Sequence, residues 1–170
     1  MTRRMQEAND RDDQGEIDVT VEVDVTDVDG DGVADIVEER VTTSVDEDGD
    51  GVADIVEETT TRMVDVDGDG EPDILQETTR TAIDLDGDGL AEVVEETTTT
   101  MVDVDGDGVP DVIETTTTTA TDIDGDGVPD VIESVTTTGT DMDGDGQFSD
   151  DEIGTEEIIA VREDLVDDDG

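Results

Sequence analysis

The sequence predicts an all-β fold: an antiparallel meander of tandem 19-residue repeats in which an acidic loop turns every hairpin. Three observations predict it. The first is a period. A D-x-D-G-D-G loop begins at Asp27, Asp46, Asp65, Asp84, Asp103, Asp122 and Asp141, always 19 residues after the last. A fixed period implies one supersecondary unit per repeat, placed the same way each time. The second is the composition between loops, which is Thr, Val and Ile, as in "ETTTTMV" (96–102). Threonine and the β-branched aliphatics favour strands and form helices poorly. The third is the number of turn signals, one "DGDG" per unit. A strand of about ten residues extends about 33 Å. One reversal per strand makes a meander, whereas a solenoid coil needs a second turn. The strict period keeps a β-solenoid as the alternative.

Composition sets the constraints. The 170-residue chain has 56 acidic and 7 basic side chains, a formal net charge of −49, and one aromatic residue, Phe148. Low hydrophobicity with high net charge is the signature of chains that cannot offset their ordering entropy by apolar burial. The fold therefore needs help from outside the chain. Without Cys or His, disulfides and soft-metal sites are excluded. With so few cations, nucleic acid is not an expected partner. No apolar run reaches membrane-spanning length, so membrane insertion is not expected either.

Along the chain, residues 1–16 read as a flexible polar lead-in without the apolar stretch of a secretory signal. Residues 17–26, "IDVTVEVDVT", alternate strictly and predict a leading strand. Residues 17–152 form the repeat domain, each unit predicting one strand from loop position 9 or 10 to position 19. Residues 153–170 differ: "TEEIIAVREDLV" (155–166) offers Thr155 as a cap and Ile158, Val161 and Leu165 on one face, predicting a short helix before an acidic tail. The apolar pair at loop positions 10 and 11, such as Val112 and Ile113, points to opposite faces. Binary pattern thus selects no single buried face, and a small barrel, a paired sheet and a thin ribbon all remain open.

The chemistry lies in the loops. Position 1 holds the seven aspartates named above. Position 3 holds Asp29, Asp48, Asp67, Asp86, Asp105, Asp124 and Asp143. Position 5 holds Asp31, Asp50, Asp69, Asp88, Asp107, Asp126 and Asp145. Position 7, where a main-chain carbonyl suffices, is Val33, Val52, Glu71, Leu90, Val109, Val128 and Gln147. Position 9 is Asp35, Asp54, Asp73, Glu92, Asp111 and Asp130, with Ser149 in the last loop. Position 12 is Glu38, Glu57, Glu95, Glu114, Glu133 and Glu152, with Gln76 in the third. A hard cation such as Ca²⁺ takes six to eight oxygens, and aspartates at alternate positions wrap a short backbone around one centre. Glycine at position 6 permits the sharp turn. The expected cofactor is therefore Ca²⁺, about seven ions, and they would reduce the formal charge from −49 to −35.

"DVDGDGVPDVIE" (103–114) resembles three families. It resembles the EF-hand calcium loop through position 12, although no helices flank it here. It is similar to thrombospondin type 3 repeats, but lacks their cysteines. It also looks like the calcium hairpins of FG-GAP and VCBS-type repeats, in which such a loop joins two antiparallel strands; the 19-residue unit is too short for a propeller blade. The resemblance covers about residues 27–152 as a short motif only. It implies the ion and its ligands at positions 1, 3, 5 and 9, and a hairpin loop of this kind closes without position 12.

Repeated carboxylates without a nucleophile, a histidine or a distinct pocket give no reason to expect an enzyme. Arg40, Arg62 and Arg80 among strand carboxylates predict surface ion pairs. The expected role is a calcium-stabilised spacer, adhesive or assembly module, placed outside the cell by the millimolar calcium there. Self-association through sheet faces or edges fits that role. The alternatives are an intracellular buffer or sensor, a lanthanide binder, and an ice-binding surface of threonines.

Overall fold

The computed structural model describes residues 3–6, 10–12 and 15–162. Ten strands form one sheet: β1 (Arg3–Gln6), β2 (Asp10–Asp12), β3 (Gly15–Thr26), β4 (Ile36–Asp46), β5 (Ile55–Val64), β6 (Ile74–Ile83), β7 (Val93–Val102), β8 (Val112–Thr121), β9 (Val131–Thr140) and β10 (Ile153–Val161). From β3 to β10 each strand pairs antiparallel with the next, so the chain is a meander, not a solenoid. The lead-in, to which the sequence assigns no regular structure, contributes β1 and β2, which share the free side of β3.

The register follows the period. The first residue of each repeat strand lies opposite the last residue of the next: Ile36 with Val64, Ile55 with Ile83, Ile74 with Val102, Val93 with Thr121, Val112 with Thr140. Flush ends leave every loop projecting from an edge, odd-numbered loops on one and even-numbered loops on the other. The hairpin hydrogen bond recurs too: the N–H at position 9 donates to the carbonyl just before the loop, as from Asp54 to Val45 (2.8 Å) and from Asp130 to Thr121 (2.8 Å).

The same register explains why no face is selected for burial. In the repeat strands apolar side chains sit mostly at the ends, so Val37 lies opposite Met63 and Met63 opposite Leu75. They make a half-buried band along each edge, on both faces, while threonines fill the middle. Threonine hydroxyls bond across strands there, as Thr78–Thr98 (3.0 Å) and Thr116–Thr136 (2.9 Å). The sheet is a single open layer, the ribbon among the three forms the pattern allowed. Among the described residues no apolar side chain is fully buried; the buried polar ones are Asp65, Asp84, Asp122 and Asp130.

The predicted terminal helix is corrected. Residues Ile153–Val161 form β10, paired with β9 from Ile153–Gly139 to Val161–Val131. The open edge of β9 supplies a full row of backbone partners. Ile153, Thr155, Ile158, Ile159 and Val161 suit a strand, and the edge outweighs a cap and a three-residue stripe. The rest of that helix, and the tail, lie outside the described residues.

Candidate metal centre

Each loop is built by its own side chains. In the fifth, Asp103 accepts hydrogen bonds from the N–H groups of Gly106 (2.8 Å, Oδ1) and Gly108 (2.7 Å, Oδ2). Asp105 Oδ1 accepts from Asp107 N–H (3.2 Å), and Asp107 Oδ1 from Val109 N–H (2.9 Å). Asp111 Oδ2 accepts from Val104 N–H (2.6 Å), which clamps the end of the loop onto its start. This pattern recurs in the other loops, down to the contact of Asp35 with Val28. The glycines at positions 4 and 6 make it possible. Gly106 and Gly108 have φ of 75° and 85°, a region in which a Cβ is costly.

These bonds use both oxygens of position 1 but only one each at positions 3, 5 and 9. Carboxylate oxygens within 4.8 Å of one another come from Asp27, Asp29 and Asp35; from Asp46, Asp48 and Asp50; from Asp65, Asp67 and Asp73; from Asp84, Asp86, Asp88 and Glu92; and from Asp103, Asp105 and Asp107. Positions 1 and 3 are thus brought together in each of these loops, with position 5 or position 9 as the third, and the fourth loop joins all four. Position 7 keeps its place in the loop, its N–H bonded to the position 5 carboxylate in each case, as Val33 to Asp31 and Leu90 to Asp88.

Position 12 separates from the rest. Glu38, Glu57, Glu95, Glu114 and Glu133 stand on the strands, three residues beyond position 9, in the cross-strand registers of the sheet. Glu38 lies opposite Arg62, and Glu57 opposite Thr81. Glu152 is the exception, because the last loop is longer: β9 ends at Thr140 and β10 starts at Ile153. Glu152 Oε1 accepts from Met142 N–H (2.8 Å), the bond that position 9 makes elsewhere. Its Oε2 accepts from the hydroxyl (2.6 Å) and N–H (2.9 Å) of Ser149. Glu152 therefore does the work of position 9 for a loop whose own position 9 is a serine.

The electrostatics show crowded negative charge. Repulsion from Asp145, with burial next, raises the Asp143 carboxyl above its ordinary value. Burial pushes Asp84 up, but the N–H groups of Gly89 and Gly87 outweigh it and hold the group low. Hydrogen bonds from the Ser149 hydroxyl and N–H, then from Met142, bring Glu152 down to about 2. Among the basic side chains, Arg40 lies 3.8 Å from Glu58 across the sheet, an exposed pair. The register sets Arg80 opposite both Glu58 and Glu96.

Sequence reasoning missed two features. One is a backbone link between loops on the same edge: the N–H at position 1 donates to the position 9 carbonyl two loops earlier, as from Asp103 to Asp73 (2.9 Å) and from Asp122 to Glu92 (2.8 Å). The other is Arg162, whose guanidinium enters the sixth loop. The first could have been sought in the 30-residue spacing of those pairs; nothing local signalled the second. No known protein family, curated protein or solved structure matches the chain.

Proposed function

We propose that this protein is a non-catalytic calcium-binding repeat protein whose folding is coupled to filling its loops, and that it serves as a spacer, adhesive or assembly module outside the cell. One observation carries the reading: among the described residues the buried polar side chains are loop aspartates, while no apolar side chain reaches the same burial. A carboxylate taken out of water beside other carboxylates is stable only with a compensating charge. A divalent ion among the carboxylate oxygens of positions 1, 3, 5 and 9, with the position 7 carbonyl, supplies that charge. Calcium suits the donor set better than magnesium, which keeps its waters and uses fewer carboxylates.

Seven near-identical cages along two edges fit a mechanical role better than a reaction, which needs one distinct centre. The uncovered faces and the exposed strand β10 offer surfaces for self-association. The test is circular dichroism during titration with calcium, magnesium and a lanthanide, from chelator to saturation. Sheet signal that appears with calcium near millimolar supports the external module. Ordering at micromolar calcium favours a buffer, and a far stronger lanthanide response favours a lanthanide binder. A chelated protein that keeps its sheet and sharp melting overturns the reading.

A further inference from the structure

The sixth loop already holds a cation, and it belongs to the chain. The Arg162 guanidinium grips Asp126 with both arms, Nη1 to Oδ1 at 3.2 Å and Nη2 to Oδ2 at 3.0 Å. Nη1 also reaches the Val128 carbonyl at 3.4 Å and lies 3.5 Å from Asp130 Oδ1. These are positions 5, 7 and 9, three of the five groups expected to face a metal there. Asp130 is the most buried side chain of the sheet, 2% exposed, and its Oδ1 has no hydrogen-bond partner. That oxygen points at a positive charge without being bonded to it.

Backbone geometry explains how the arginine arrives. In five same-edge links the donor is the position 1 aspartate of the loop two units on: Asp65, Asp84, Asp103, Asp122 and Asp141. In the sixth the donor is Arg162, whose N–H bonds the Asp130 carbonyl at 2.7 Å. The backbone register continues, but a cation stands where an aspartate would begin a loop. Each of those aspartates folds back on its own loop; Arg162 reaches the neighbouring one.

We propose that Arg162 is the resident cation of the sixth loop, holding positions 5, 7 and 9 so that a metal ion enters there only when the arginine leaves. The inference rests on the calcium reading of the loops. It makes the array unequal: six loops free to fill together and a sixth-position loop that fills later, with release of the end of β10 from its latch. A guanidinium and a calcium ion compete for the same oxygens, so one must be displaced by the other.

The test is calcium titration of the full chain followed by NMR, reading the amide signals of the two glycines in each loop. Gly125 and Gly127 should shift at a free calcium about tenfold or more above that of the other loops, the loss expected for competition with charge-assisted contacts. In Arg162→Gln the lag should vanish. In Arg162→Lys, which keeps the charge but loses the two-armed grip, it should shrink without vanishing. If the sixth loop fills with the others in the wild type, or the lag survives in Arg162→Gln, the inference is overturned and the calcium reading stands. If no loop responds to calcium, both fall. Glycine signals of loops remote from residue 162 report whether each variant still folds.

Discussion

Free calcium should set the stability of this protein with a slope that counts its ions. An ion bound only by the folded state stabilises it by RT ln(1 + [L]/Kd), so above the dissociation constant each doubling of calcium adds about 0.4 kcal/mol per ion. Seven cages give about 3 kcal/mol per doubling, and about 10 kcal/mol per decade. With urea m-values of about 1–3 kcal/mol/M, one doubling moves the unfolding midpoint by about 1–3 M. If Arg162 keeps the sixth loop shut, the slope is six-sevenths of that until the arginine is displaced. The assay is urea unfolding followed by circular dichroism in buffered calcium. Screening is the competing explanation, since salt relieves self-repulsion in a chain of net charge −49. Sodium chloride at matched ionic strength separates the two, because screening does not scale with the logarithm of calcium alone. A slope near zero, or one reproduced by sodium, refutes the claim that metal takes the place of a core.

Gly139→Ala should destabilise by about 1–3 kcal/mol in urea unfolding, because the added methyl must displace its neighbours: a Cβ there meets Phe148 Cδ1 at 2.8 Å and Ile113 Cγ2 at 3.0 Å. Gly108→Ala meets nothing within 4 Å but needs φ of +85°, so its cost should be purely conformational, about 1–2 kcal/mol, and it should weaken calcium binding in that loop alone. Glu152, held at about 2 against an ordinary 4.5, contributes stability that is present above pH 4.5 and lost as pH falls toward 2; Ser149→Ala should raise its midpoint in a carboxyl NMR titration of the calcium-free protein, and an unchanged midpoint would show that the hydroxyl is not the cause. A double-mutant cycle on Thr78 and Thr98, each changed to Val, should return a coupling of about 0.2–1 kcal/mol; zero coupling would leave the hydroxyl ladder without energetic weight.

What was legible in the residues is what local chemistry encodes. The 19-residue period, the all-β class and the gathering of loop carboxylates all depend on groups within one repeat unit. Glycines at positive φ and aspartates that accept N–H bonds two to seven residues away fold each loop wherever it sits. One turn per unit then favoured a meander over the solenoid, and the antiparallel pairing of each strand with the next decided it. The tertiary structure decided whatever depends on partners far along the chain. Ile153–Val161 became a strand because β9 offered an unpaired edge, which no local cap could announce. Glutamate at position 12 fell on the strands in five loops yet entered the last, since loop length decides which carboxylate reaches Met142 N–H. Arg162 entered the sixth loop through a backbone link to Asp130, 32 residues earlier. Burial came last of all: repeat strands with apolar residues mostly at their ends cannot choose a face, so the assembled sheet remained one layer deep and enclosed its own aspartates.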